Sequence, residues 1–232
     1  MRAVRVHLSG HIDIPLTRLE EVLAELPRHV ALTRAEPGNL RFEVTPAESP
    51  EGRLWVSETF RDRAALEVHQ ARARASTWGR LTAGIPRHFF LVRHGTKRDR
   101  DVLAALYLTC RRQTFTWVDP QRYALDDFDA DTQDELLLVC ERDDRVVGFA
   151  GLWTPDDFLH HLFVHEAQQG HGAGRGLLRA AQSYAKGPLR LKCAVRNDRA
   201  LRFYEQLGGV VESTATAEPE GEHHTVVLPV PT

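Results

Sequence analysis

With 232 residues, 42% apolar and 27% charged, the chain has room for two small soluble domains, and its formal net charge of −2 excludes a general basic field for nucleic acid or an acidic membrane. No stretch of about 18 apolar residues reads as a membrane span, and Met1-Arg2-Ala3-Val4 lacks the apolar run of a secretory leader. Cys110, Cys140 and Cys193 lie too far apart in sequence to form a metal-type pair, so a cytoplasmic protein without a bound metal is expected.

In chain order, Val4, Val6 and Leu8 alternate with polar neighbours and predict a strand. Pro15 and Thr17 open a helix in which Thr17-Arg18-Leu19-Glu20 fits a capping box, and Leu19, Val22, Leu23 and Leu26 form its apolar stripe. Pro37-Gly38 turns the chain into a strand over Asn39 to Thr45, and Arg53 to Phe60 is the next. Asp62 caps a helix carrying Ala65, Leu66 and Val68 to about Ser76. A break near Pro86 divides the chain into domains 1–86 and 87–232, with Phe89 to Val92 opening the second.

Val102, Leu103, Leu106 and Cys110 mark a helix with one buried face. Residues 113–134 show no clear period. Leu136 to Cys140 and Arg145 to Trp153 predict strands joined at Asp143-Asp144, and Leu159 to Val164 predicts another. A helix over 174–185 buries Leu177, Leu178, Ala181 and Tyr184, and Gly187-Pro188 ends it. Leu189 to Val195 alternates as a strand. Asn197 starts a helix through Phe203 and Tyr204, which Gly208-Gly209 stops. The last strand, His224 to Val230, follows an acidic loop at Glu218 to Glu222. The sheet of this half is expected to be mixed, with helices on both faces.

Gln169-Gly170-His171-Gly172-Ala173-Gly174 lies between a strand and a helix start. Its glycines let the backbone approach a ligand closely, and the helix N-terminus turns unpaired N–H groups toward phosphate oxygens. Counting excludes a dinucleotide fingerprint, since the sixth position is Arg175 from Gly170 and Leu177 from Gly172; no Gly-Lys-Ser/Thr closes a P-loop. The pattern Gln-x-x-Gly-x-Gly, with Leu162-Phe163-Val164 before it and Asn-x-x-Ala-x-x-Phe-Tyr-x-x-x-Gly over Asn197 to Gly208, resembles the GNAT N-acetyltransferase superfamily across residues 88–230. The resemblance implies a GNAT acyl-CoA N-acyltransferase fold with acetyl-CoA as co-substrate. It places the pantetheine arm and the oxyanion-binding N–H at Leu162, Phe163 and Val164. The diphosphate goes to Gln169, Gly170, His171, Gly172, Ala173, Gly174 and Arg175, a further coenzyme contact to Asn197, and the proton donor to the leaving thiolate is Tyr204.

His160 and His161 are candidates for the base that deprotonates the amine; each is also readable as a core or surface histidine satisfied by the backbone. As adjacent strand residues they are expected to face opposite sides, which also argues against a metal. Asp156 and Asp157 are weaker bases. Phe115, Trp117 and Trp153, with Tyr123, are an acceptor-site wall or simply core. The acids Asp126, Asp127, Asp129, Asp131, Asp134 and Glu135 either attract a cationic amine or form a solvated loop.

Ala35-Glu36-Pro37-Gly38-Asn39-Leu40-x-x-Glu43, Glu58-x-Phe60 and His69-Gln70 resemble the antibiotic biosynthesis monooxygenase (ABM) family over residues 2–84. That implies a ferredoxin-like α+β fold of the dimeric α/β barrel type, pairing as a homodimer through its sheet. Haem-degrading members have Trp where this chain has Glu58, so no haem is expected. His69 and Trp78 either serve a site or pack the core. The combined expectation is an acetyl-CoA-dependent N-acetyltransferase of a small-molecule amine, its N-terminal domain a dimerisation or regulatory module. The alternatives are a cofactor-independent quinol-type monooxygenase in that domain or a non-catalytic acetyl-CoA-binding scaffold.

Overall fold

A computed structural model of the chain describes residues 4–217 and 221–230. It divides into two compact units. Of the described residues, the first holds 4–94, Cys140–Arg145 and Gly170–Gly176; the second holds Gly95–Val139, Val146–Gln169 and those from Leu177 onward.

In the first unit, β1 (Val6–Asp13), α1 (Leu16–Arg34), β2 (Asn39–Pro46), β3 (Arg53–Phe60), α2 (Arg63–Ala75), α3 (Thr77–Leu81) and β4 (Arg87–His94) follow in order. The strands pair antiparallel as β2-β3-β1-β4, the ferredoxin-like arrangement expected. Ile12, Ile14, Val22, Leu54, Trp78 and Ile85 form one core cluster, and Val6, Phe60 and Leu66 a second. Asp62 caps α2 as predicted, accepting from Ala65 N–H at 2.9 Å. Two local readings differ. No side-chain cap forms at α1, because Pro15 takes the N-cap and Thr17 falls inside the first turn; the helix also runs through Pro27 to Arg34. β4, which contains the strand expected to open the second domain, pairs with β1 from His7↔Val92 to Ile12↔Arg87.

After β4 the chain forms α4 (Arg100–Thr114), α5 (Asp127–Asp131), β5 (Leu136–Arg142), β6 (Arg145–Trp153), β7 (Phe158–Val164), α6 (Ala173–Gln182), β8 (Leu189–Ala194), α7 (Asp198–Glu205), β9 (Val210–Ala217) and β10 (Gly221–Leu228), most of them in the second unit. The strand order is β5-β6-β7-β8-β10-β9, with β7 and β8 parallel and the β6–β7, β8–β10 and β9–β10 pairs antiparallel. This is the mixed sheet expected. Leu103, Leu106, Tyr107, Cys110, Phe128, Val139 and Phe149 pack α4 and α5 on one face. β9 is unanticipated: Glu212, Ser213, Thr214 and Thr216 give it no apolar alternation, and it is an edge strand held by β10. The acidic loop expected at Glu218 to Glu222 lies partly outside the described residues, while Gly221 and Glu222 already belong to β10. Among the described residues, no helix is long and apolar enough to cross a membrane.

Candidate functional site

The backbone of the second unit opens at one place. β7 pairs in parallel with β8 only at Phe158↔Arg190 and Leu159↔Leu191, although the strands run on to Val164 and Ala194. Beyond Leu159 the two strands part, and the β8-facing main chain of β7 has no ladder partner there. On its other side β7 stays paired with β6 up to Gly148↔Val164. Leu162, Phe163 and Val164 thus lie along the gap.

The same stretch carries a β-bulge. Gly151 pairs with His161 and Leu152 with Leu159, so His160 is the extra residue on β7. A bulge breaks the alternation of side chains. That overturns the expectation that the two histidines face opposite sides, since both reach the carboxylate of Glu135. His160 Nδ1 is hydrogen-bonded to Glu135 Oε1, and His161 Nε2 lies 3.8 Å from Oε2. Glu135 has only 2% of its side chain exposed, and its Oε2 has no hydrogen-bond partner. Gly151 leaves the room it occupies; a Cβ there would sit 2.0 Å from Oε2.

The two histidines are not equivalent. His161 donates from Nε2 to the Asp131 carbonyl at 3.0 Å and packs edge-on to Tyr107; burial pushes its pKa down. His160 is 43% exposed, with Nδ1 on Glu135 and Nε2 as its other nitrogen. A carboxylate that fixes one imidazole nitrogen sets the tautomer at the other. Glu135 is the residue sequence reasoning undervalued. Its place directly before the apolar run Leu136–Val139 was the available signal of burial. Three other acids of the run are paired: Asp127 and Asp131 with Arg111, at 3.1 and 3.2 Å, and Asp129 with Arg100. Asp157 accepts from the N–H groups of Lys186 and Gly187, at 3.0 and 2.8 Å, and so shapes the turn before β8.

The glycine turn has the backbone its composition demands. Gly170 and Gly172 have φ of +81° and +103°, the left-handed region that disfavours a Cβ. The first bond of the α6 ladder runs from Gly176 N–H to the Gly172 carbonyl at 3.0 Å, so the N–H groups of Ala173 and Gly174 precede it and lack an intrahelical acceptor. His171 is exposed beside them. Gln169 donates its side-chain N–H to the Val164 carbonyl at 2.8 Å. Arg175 sets its guanidinium 5.0 Å over the ring of Trp55, within the first unit.

Tyr204 is buried on α7, where desolvation and then Cys193 raise its pKa well above the ordinary phenol value. Asn197 caps that helix, its Oδ1 accepting from Ala200 N–H at 3.1 Å. Phe115 and Trp117 meet edge to face at 5.7 Å, and Arg196 lies 5.6 Å over Trp117, close in sequence to Asn197. Trp153 closes the β6–β7 hairpin opposite Phe158, and Tyr123 is core.

In the first unit, His69 is buried between Glu36, 2.9 Å from Nδ1, and Glu58, 3.4 Å from Nε2. Trp78 stacks on His29 at 4.5 Å and belongs to the core. His11, Asp13 and His88 bring possible ligand atoms within 4.8 Å of one another. That grouping carries no metal assignment: Arg53 holds both Asp13 oxygens, at 2.7 and 2.8 Å, and the two imidazoles stack 22° from parallel, so their lone pairs do not converge.

Residues 102–209 match the model of the acetyltransferase (GNAT) family, and residues 6–80 match that of antibiotic biosynthesis monooxygenase. The chain is similar to a GCN5-related N-acetyltransferase from Rhodopseudomonas palustris, at TM-score 0.50 and 22% identity over 60% of this chain and 94% of that one. It is similar to an N-acetyltransferase from Staphylococcus aureus Mu50, at 0.50 and 14% over 59% and 99%. A third relative, the PaiA N-acetyltransferase of Thermoplasma acidophilum, was solved in complex with coenzyme A; it matches at 0.50 and 17% over 60% and 98%. At these identities the likeness is one of fold. No curated protein matches the sequence.

Proposed function

From a chain that joins an antibiotic biosynthesis monooxygenase domain, matched over residues 6–80, to an acetyltransferase (GNAT) domain, matched over 102–209, we propose an acetyl-CoA-dependent N-acetyltransferase of a small-molecule amine. The parting of β7 from β8 carries this reading. The gap exposes strand amides beside Leu162–Val164, and after a single 3-10 turn at Glu166–Gln168 the chain enters a glycine turn and a helix N-terminus.

In this proposal the pantetheine arm pairs with the main chain of Leu162, Phe163 and Val164, while the N–H groups around Gly172 to Gly174, with Arg175, bind the diphosphate. His160, oriented by Glu135, takes a proton from the ammonium form of the acceptor. The neutral amine attacks the thioester carbonyl, a β7 N–H stabilises the oxyanion, and collapse expels the coenzyme thiolate, which takes up the second proton of the acylated nitrogen. Tyr204 stays protonated because burial raises its pKa. Full proton transfer to a thiolate near 8.5 is then strongly uphill, so its role is to donate a hydrogen bond. Phe115 and Trp117 form the acceptor-side wall with Trp153. Residues 6–80 also act as a dimerisation or regulatory module in a cytoplasmic homodimer, a role supported by the outer edge of β2, the end strand of its sheet.

Acetyl-CoA at 100 times its dissociation constant is expected to add about 2.7 kcal/mol. For a chain of this size that raises the melting temperature by roughly 5–10 °C. Absence of any shift at millimolar acetyl-CoA sinks the reading. Tyr204→Phe is expected to lower kcat about tenfold, the loss of one hydrogen bond to a charged group, with acetyl-CoA affinity unchanged. A wild-type kcat in that variant removes Tyr204 from the reaction.

A further inference from the structure

Gly170–Gly176 packs with residues of the 4–94 stretch, so the turn read above as the diphosphate cradle belongs to the first unit. Two strands of that unit meet it. From β3, the ring of Trp55 comes within 3.4 Å of the place a Cβ on Gly172 would take, and its face lies 5.0 Å from the Arg175 guanidinium. From β1, the Cβ of Ser9 is 3.0 Å from the corresponding place on Gly176, at the first turn of α6.

Trp55 is itself held in place. Arg53 lies 5.8 Å over its ring and is fixed by the two-point ion pair with Asp13. His11 packs edge-on to Trp55 at 5.2 Å. The series Asp13, Arg53, Trp55, Arg175 therefore ends at the diphosphate turn.

We infer that Trp55 is a positioning residue of the coenzyme site, holding the Arg175 guanidinium and the Gly172 turn in the arrangement that receives the diphosphate. The inference rests on the coenzyme reading proposed above. An arginine on a surface helix surrenders several rotamers when it binds an anion; one already stacked on a fixed indole has surrendered them beforehand. The indole edge against Gly172 likewise limits how far the turn can fold inward. The N-terminal unit thus contributes to coenzyme affinity through a residue that touches no reacting atom.

The test is a double-mutant cycle read by calorimetric titration of the full chain with acetyl-CoA. Trp55→Ala and Arg175→Ala are each expected to raise the dissociation constant about tenfold, and the double variant to bind about as Arg175→Ala alone does, because Trp55 acts through Arg175. Trp55→Phe, which keeps a ring face, is expected to stay near wild type. Trp55→Leu keeps apolar bulk without that face; it is expected to match Trp55→Ala and replaces it if the alanine variant does not fold. Wild-type affinity in Trp55→Ala and Trp55→Leu overturns the inference, and so does a double variant weakened by the full product, about a hundredfold. A wild-type chain that binds no acetyl-CoA overturns the transferase reading first and this inference with it.

Discussion

His160→Ala is expected to lower kcat for amine acetylation by about a hundredfold while leaving acetyl-CoA binding intact. His160 is the extra residue of the β7 bulge, partly exposed and pinned at Nδ1 by a carboxylate that is itself almost fully enclosed. The neighbouring His161 cannot substitute, because its Nε2 is engaged by the Asp131 carbonyl and its ring packs on Tyr107. Glu135→Gln keeps the shape and removes the charge that orients the ring, so a smaller loss of about tenfold is expected. Both deficits are expected to shrink as pH approaches the pKa of the acceptor, where free amine no longer needs a base. The measurement is kcat against pH with an amine identified by an acceptor screen. A wild-type profile in His160→Ala shows that the amine loses its proton elsewhere.

Glu58→Gln is expected to stabilise the first unit strongly at alkaline pH and hardly at all at acid pH. Glu58 on β3 is 5% exposed, and desolvation, with Glu36 adding like charge, pushes its pKa up to about 8, against the pull of Arg87 and Arg72. At neutral pH it is therefore mainly an uncharged acid beside His69 Nε2, 3.4 Å away. Raised above the unfolded value of 4.5, this group gives stability that is complete below pH 4.5 and is lost as pH climbs through about 8. At pH 9 the wild type holds a buried carboxylate costing of the order of a few kcal/mol, which an amide does not incur. Burial lowers the pKa of His7, His29 and His69; their stability contributions are lost in the opposite direction, as pH falls, and are common to both proteins. Denaturant unfolding of both proteins at pH 5 and pH 9 reads the difference. An equal difference at the two pH values would falsify the protonation of Glu58.

Much of this molecule is legible locally. Gly170 and Gly172 announce a turn because positive φ strains a side chain, and both adopt it. Asp62 and Asn197 announce helix starts because a short oxygen-bearing side chain satisfies a backbone donor three residues on, and each does so. The strands with apolar alternation all form. β9 escaped because its outward-facing Ser and Thr carry no period, and only β10 makes it a strand. The α1 capping box failed because Pro15 fixed the helix start two residues earlier than Thr17 requires.

Most of the elements and the bend at Gly170 and Gly172 can be read from the chain alone, since each follows from side-chain period or backbone freedom within a few residues. Long-range packing sets the rest: that β7 leaves β8 after Leu159, that a bulge swings His160 onto Glu135, and that Trp55 meets Arg175. These depend on register and on residues 25 to 120 positions apart being brought together, and register is set by packing both faces of a sheet at once.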